Sequence, residues 1–581
     1  MSPARSAQPA LGARPGDAGP AASIGYEDLT PEQREVVDAA EATLLVGGGA
    51  GVGKTTTALW AGRVEVTRPN AAAHQRVLFL TFSRTAVAQI LARARRVLTG
   101  IGDRVEILTF HGLAYRLLCG FGRYAGGATA PLLRGESEAK LAVASDGALA
   151  YDDLLPLALD LLAPGSPVRE LIADRWSMVI CDEFQDTDDE QWRLLELLGE
   201  RARLVLLADP NQMIYGWRPG VDEGRLRAAR ARPGIRELLL PAASHRDPTQ
   251  VLPTAAEDIR LRRFQTANVQ RAVETGRLVV YGNVVDDGRE RVVAAQIAAL
   301  QATGHATIGV FARTNVRTAD LSAALTGLGV EHVPIGFPEA YGEALSTMAT
   351  MAAFSAGQAT WEQVTLRLAV FLTATDRGRE PPALALGLVG RAVLPGAFER
   401  RVEELRRVLS DATDPLGEGV DVASAAWSAL GVTSGYRPWT RAAATFAALA
   451  ARARLLGDAA AALERIQADV RALRNASMVE LDAGDVGAVQ VMNFTQTKGR
   501  EADAALLVFE DDDFFGYEAE PFREASRLLY VAMTRARKRV VVLLPPWPHP
   551  LVAPLGQYAV PLPAPAGQRA QPLVEEFHIG G

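Results

Sequence analysis

Lysine is scarce in this chain: its 581 residues hold it only at Lys54, Lys140, Lys498 and Lys538, although arginine is abundant, so each lysine is worth a closer look. Cysteine is scarcer still. Cys119 and Cys181 alone give neither a disulfide framework nor the paired spacing of a zinc site, which fits a reducing cytoplasm. No run of about 18 apolar residues occurs, which excludes a membrane-spanning helix and leaves no expectation of a membrane partner. No repeat of fixed period is found. Residues 1–24 are rich in Ala, Pro and Gly but lack the apolar core of a secretory signal, and are expected to be a disordered leader. A net charge of -7 argues against a uniformly basic coat, though not against a local basic groove for nucleic acid. What is present is an ordinary globular composition, 48% hydrophobic and 22% charged, in a chain too long for one hydrophobic core.

Short apolar runs stand at residues 42–46, 77–80, 178–181, 204–208, 308–312, 505–509 and 540–544, separated by helical patterns. Strands alternating with helices predict an α/β fold with parallel sheets. Two stretches break the rhythm, 112–172 and a longer Ala/Leu/Arg-rich, mostly helical one at 341–485, and both are read as insertions. The Pro-rich residues from 546 to 581 read as an extended tail.

The first run leads into Gly48, Gly49, Ala50, Gly51, Val52, Gly53, Lys54 and Thr55, which match the G-x-x-x-x-G-K-[ST] phosphate-binding pattern in its proper strand–loop–helix setting, with Thr56 next in line. Glycines let backbone N–H groups turn toward phosphate oxygens at the positive end of the following helix. Lys54 would neutralise the β/γ-phosphates of ATP, and the Thr55 hydroxyl would ligate Mg²⁺. Asp182 and Glu183 follow the run ending at Cys181, which places them at the carboxyl edge of a sheet. Asp182 is the candidate metal carboxylate and Glu183 the candidate general base. An acidic pair alone is usually a solvated loop end; behind a phosphate loop it is not.

The order of the remaining segments resembles the UvrD/Rep branch of superfamily 1 helicases, through nearly the whole chain. Leu29-Thr30-Pro31-Glu32-Gln33 looks like that family's Q motif, which would make Gln33 the adenine contact; the same residues also read as a capped helix start. Thr81-Phe82-Ser83-Arg84 and Thr109-Phe110-His111 resemble strand-facing segments, implying DNA contacts by Phe82, Thr109 and His111. Asp182-Glu183-Phe184-Gln185-Asp186-Thr187 repeats the family's D-E-x-Q-D-T. Asp209 to Gly220 resembles the motif in which Gln212 senses the γ-phosphate while Tyr215, Trp217 and Arg218 reach DNA, the aromatic faces stacking on bases.

For the second half, Ser244-His245-Arg246 occupies the place of an N-Y-R motif. Arg246 is the implied γ-phosphate contact, and an imidazole replaces the ring that stacks on adenine. Thr497-Lys498-Gly499-Arg500-Glu501 looks like a motif whose upstream His and Ser are Thr495 and Gln496 here. The resemblance gives Thr495 and Lys498 to DNA and Glu501 to the nucleotide, through the ribose. Residues 527–537 end in Tyr530-Val531-Ala532-Met533-Thr534-Arg535-Ala536-Arg537, with Arg535 the implied arginine finger.

The resemblance therefore implies two RecA-like P-loop NTPase domains with mostly helical insertions: 25–111 with 173–242, and 243–340 with 486–545. ATP and Mg²⁺ are the implied cofactors, and single-stranded DNA with single-strand/duplex junctions the implied partners. The implied activity is 3′-to-5′ translocation and unwinding in repair or recombination. The shortness of the 112–172 insertion points to reduced duplex contacts. The alternative is a DNA-responsive ATPase switch or defence subunit acting with a protein partner, a nuclease or repair factor. A fused nuclease is not expected, because few residues follow Arg537.

Overall fold

Each apolar run overlaps a strand, and the strands that carry these runs sort by chain order into two parallel sheets. The computed structural model describes residues 24–122, 133–141, 149–334, 338–375, 380–414, 416, 436–479 and 488–562. The expected leader lies outside them, apart from Ile24. In chain order the strands are β1 (Thr43–Gly47), β2 (Arg76–Thr81), β3 (Val105–Thr109), β4 (Leu133–Arg134), β5 (Leu149–Ala150), β6 (Trp176–Cys181), β7 (Arg203–Ala208) and β8 (Ile235–Leu239). There follow β9 (Leu278–Tyr281), β10 (Ile308–Ala312), β11 (Val333–Pro334), β12 (Val489–Asn493), β13 (Ala502–Val508), β14 (Ala536–Leu543) and β15 (Ala559–Val560).

The first lobe is a sheet ordered β3-β2-β6-β7-β1-β8, and the second is ordered β11-β12-β10-β13-β14-β9-β15. Neighbouring strands are parallel throughout both. A parallel sheet covered on both faces needs apolar residues at consecutive positions. Accordingly Leu45, Leu78, Leu80, Val179, Leu204 and Leu206 pack on one face of the first sheet, and Leu44, Val77, Phe79, Ile180, Val205 and Leu207 on the other. The second sheet repeats this, with Val280, Phe311, Leu507 and Val542 on one face and Ile308, Val310, Leu506 and Val541 on the other.

The tail begins later than its proline content suggested. Leu551, Val552 and Leu555 are fully buried in the second lobe, and β15 pairs with β9. Residues 546–562 are thus part of the packed lobe, because a few well-spaced leucines outweigh scattered prolines; residues 563–581 lie outside the described ones.

The 112–172 segment divides between two cores. Helices Phe110–Phe121 and Leu154–Leu161 pack on the first sheet, whereas Leu141 joins the core of the helical layer built from Pro338–Ser355, Trp361–Thr375, Gly396–Asp411, Tyr436–Ala453 and Ala459–Val479. The junction is polar and buried. Arg474, 2% exposed, donates to Glu343 Oε1 and Glu138 Oε2 at 2.6 Å each and to the carbonyl of Leu133 at 2.7 Å. Ser137 donates through N and Oγ to Glu339, both at 3.0 Å. Among the described residues no helix is long and apolar enough to cross a membrane.

Removing one member of a buried ionic group leaves the others uncompensated. Arg474→Ala is expected to lower unfolding free energy by about 3–5 kcal/mol, read from urea denaturation followed by circular dichroism. Adding Glu138→Gln and Glu343→Gln should recover part of that loss; a single variant as stable as the parent would show that the cluster is not held in solution.

Candidate active site

The loop after β1 turns through Gly51 and Gly53, whose φ values of 80° and 92° lie in the left-handed region, and delivers the chain into helix Lys54–Thr67. Neither glycine has room for a methyl group. A Cβ at Gly51 would come within 2.3 Å of Ser244 Oγ, and one at Gly53 within 2.5 Å of Gln33 Nε2. Lys54 folds back over the loop, donating to the carbonyls of Gly48 at 2.5 Å and Gly49 at 2.9 Å, with Asp209 at 4.0 Å.

Beside it, Thr55 Oγ1 donates to Asp182 Oδ2 at 3.0 Å. Glu183 sits at φ 56°, a strained backbone for a non-glycine residue, and its carboxylate accepts from Gln185 Nε2 at 2.8 Å. Burial, then Glu183 beside it, pushes Asp182 up to about 6. Burial also raises Glu183, but Lys498 and Lys54 outweigh it and hold that carboxyl below its ordinary value. Two adjacent carboxylates thus sit in different electrostatic environments. Gln185 also accepts from the Asp209 backbone N–H at 3.0 Å, and Asp209 in turn accepts from Gln212 Nε2 at 2.7 Å.

The second lobe and the loop leading to it supply cations. Arg535, 3% exposed, donates to Gln212 Oε1 at 2.8 Å; burial, with Arg246 near it, pulls its guanidinium down to about 10. Arg246 pairs with Glu501 at 2.8 Å and donates to the carbonyl of Thr534. Glu501 is gripped by Arg93 and Arg537 as well, and these cations hold its carboxyl far below the usual range despite burial. These groups line one cavity of about 680 Å³ together with Gln33, Gly51, Gly53, Thr55, Thr56 and His245.

Lys498 is where the structure departs most from expectation. Read as a DNA contact, it is instead 8% exposed inside the cleft, paired with Asp186, 3.5 Å from Glu183 and donating to the Gln212 carbonyl at 2.9 Å. The acidic pair of the first lobe attracts it there, and burial draws its ammonium down to about 8. Thr109 departs too: its hydroxyl is buried and caps helix Phe110–Phe121 by accepting from Gly112 N at 2.9 Å, so it is not presented to a strand. Gln33 spends its amide on the protein itself, accepting from Thr30 N at 3.0 Å and donating to the Val52 carbonyl at 3.1 Å.

Of the other strand candidates, Tyr215 and Phe82 line the cavity, and Trp217, Arg218, His111 and Thr495 do not. Tyr215 donates to the Thr495 carbonyl at 3.4 Å, and its ring lies under the Lys498 ammonium at 5.6 Å. Trp217, 6.4 Å from Tyr215 between ring centroids, is 70% exposed, and Arg218 lies 3.5 Å from Asp188. His111 stacks on Tyr151 at 4.1 Å, and burial, then Arg218, lowers its imidazole to about 4. Phe82 packs against Phe110 at 5.5 Å. The Thr495 hydroxyl is engaged with Asn493 Oδ1 at 2.7 Å.

Sequence reasoning assigned no role to Asp209, Asp186, Tyr530 or Arg537, although all stand inside quoted motifs. Tyr530 OH accepts from Ala50 N at 3.4 Å, tying the phosphate loop to the second lobe. Arg93 carried no signal at all, being one of several arginines on helix Arg84–Val97. As for a metal, the described residues hold no group of three or more His, Cys, Asp or Glu able to bind one unaided. One hydroxyl and one carboxylate are what Mg²⁺ takes from a protein when phosphates and water supply the rest, so Thr55 and Asp182 fit that ion.

Comparison with known proteins agrees with this geometry. The family described as UvrD/REP helicase N-terminal domain matches residues 29–126 and 136–230. The RecBCD enzyme subunit RecB of Mycolicibacterium smegmatis is 48% identical over 14% of this chain and 8% of its own length. The ATP-dependent DNA helicase UvrD2 of Mycobacterium bovis is 26% identical over 88% of this chain and 77% of its own. The ATP-dependent DNA helicase Rep of Salmonella typhimurium is 33% identical over 16% of this chain and 14% of its own. The match thus spans less than a tenth of the RecB subunit and most of UvrD2.

The phosphate loop provides a direct check. Gly53→Ala forces both a left-handed alanine and a collision with Gln33, a strain of about 1–3 kcal/mol. A fluorescent ATP analogue should bind roughly five- to hundredfold more weakly to this variant, its circular dichroism unchanged; undiminished binding would mean that the loop is not the cradle.

Proposed function

The chain belongs to the UvrD/Rep-like family of superfamily 1 helicases, and on that premise we propose that it is an ATP-driven DNA motor that moves along one strand and separates duplex. The observation that carries this reading is the single cleft in which Lys54, Thr55, Asp182 and Glu183 of one lobe face Arg246, Lys498, Glu501 and Arg535, with Tyr215 leading from it to exposed Trp217. ATP would lie with its phosphates on the Gly48–Gly53 loop. Lys54 offsets β/γ charge, and Glu183 orients and deprotonates the attacking water. Arg246 and Arg535 meet the charge that develops on the γ-phosphoryl group. Thr55 and Asp182 would hold Mg²⁺, which supplies further charge neutralisation.

Binding a nucleotide between lobes draws them together, and its hydrolysis releases them. A strand held by Trp217, Tyr215 and Arg218 on one lobe, and near Thr495 on the other, would be advanced by that cycle. We assign 3′-to-5′ polarity and a place in DNA repair or recombination as part of the same proposal, on the resemblance of the motifs alone. The 48% local identity to a RecBCD subunit favours a second reading, a strand-responsive ATPase that works within an assembly.

Steady-state ATP turnover with and without single-stranded DNA separates these readings from a simple nucleotide switch. The motor reading expects strong stimulation by the strand and a fall of about 10²-fold or more in Lys54→Ala and Glu183→Gln. Turnover indifferent to DNA would remove the motor reading. Stimulated turnover without duplex separation on a 3′-tailed substrate would favour the assembly reading.

A further inference from the structure

A general base works only while its carboxylate is aimed at the attacking water. Glu183 is hard to aim, because it pairs a left-handed backbone at φ 56° with a long side chain free to rotate. Its carboxylate is met at 2.8 Å by the amide nitrogen of Gln185, a fully buried side chain. That amide has one allowed orientation. Its oxygen accepts from the Asp209 backbone N–H at 3.0 Å, and a backbone nitrogen can only donate. Asp186 Oδ2, a second acceptor 3.4 Å from the amide nitrogen, agrees with that orientation.

Asp209 carries the contact onward. Its Oδ2 accepts from Gln212 Nε2 at 2.7 Å, and Gln212 Oε1 accepts from Arg535 Nη2 at 2.8 Å. A guanidinium can only donate, so the Gln212 amide is fixed as well. Gln185, Asp209, Gln212 and Arg535 are all buried, where hydrogen bonds are stronger than in water. Through Asp209 the chain of bonds runs without a gap from the carboxylate of the first lobe to the guanidinium of the second. Lys498, 3.5 Å from Glu183 and paired with Asp186, adds charge there but, as a point charge, does not fix a direction.

Resting on the ATP-hydrolysis reading above, we infer that Gln185 and Asp209 are positioning residues of that reaction: through them, the seating of Arg535 against Gln212 aims Glu183. Closing the second lobe on the first then sets two groups at once, the cation at the γ-phosphoryl group and the base at the water. Neither Gln185 nor Asp209 lines the cavity, so both act through other residues and not on the nucleotide.

The test is steady-state ATP hydrolysis by the full chain at saturating single-stranded DNA. Gln185→Met keeps the length of the side chain and removes its hydrogen bonds. Its kcat is expected to fall about ten- to hundredfold, the loss of one hydrogen bond to a charged group, with KM and the affinity for a fluorescent ATP analogue within about threefold of the parent. Asp209→Asn sets an NH₂ group against Gln212 Nε2 or the Asn211 N–H, both donors, and should show the same split. It carries the test if circular dichroism shows Gln185→Met unfolded. Added to Glu183→Gln, Gln185→Met should cost less than about twofold more, and combined with Arg535→Ala it should cost less than the product of the two losses. Losses that multiply in full in both backgrounds, or analogue affinity falling as far as kcat, overturn the inference while leaving ATP hydrolysis intact. A parent chain that does not hydrolyse ATP overturns the functional reading itself.

Discussion

The pairing of Lys498 with Glu183 and Asp186 is the constraint around which the rest of the cleft is arranged. The first lobe presents Asp182, Glu183, Asp186 and Asp209 with Lys54 and Arg93 near them, and the second presents Lys498, Arg535 and Arg537 against Glu501. Buried charges of one sign are costly unless partners of the other sign reach them. Each lobe therefore completes the other. The two are also joined by apolar contact, for Ala50 of the phosphate loop and Ile214 pack into the core of the second lobe.

The same contacts connect the cleft to the residues proposed to hold the strand. Gln212 touches Arg535 through its side chain and Lys498 through its carbonyl, and three residues later Tyr215 lies under Lys498 and bonds Thr495. Any nucleotide that changes how Arg535 and Lys498 are held also changes what supports Tyr215 and, beyond it, Trp217. Coupling of this kind requires contiguous groups with two arrangements, and these residues are contiguous.

Much of this was legible in the sequence. β1, β2, β6, β7, β10, β13 and β14 show as continuous apolar runs, whereas β3, β8, β9 and β12 are short, half-buried or interrupted by a polar residue and show no such run. The phosphate loop and the acidic pair were legible because local backbone geometry dictates their spacing. Lys498 was misplaced because its neighbours in sequence point to a strand while its partners in space lie in the other lobe. Arg93 and the Arg474 cluster were invisible for the same reason: ion pairs between residues hundreds of positions apart leave no local pattern. The leucines that hold residues 546–562 were hidden among prolines.

Reciprocal binding tests the central claim most directly. If the cleft and the strand face are coupled through Lys498, Gln212 and Tyr215, a non-hydrolysable ATP analogue must change the affinity for a fluorescent single-stranded oligonucleotide, and the oligonucleotide must change the affinity for the analogue by the same factor. The account predicts a coupling of about fivefold or more, abolished in Tyr215→Ala. Equal oligonucleotide affinity with and without the analogue, at saturating nucleotide, would contradict it.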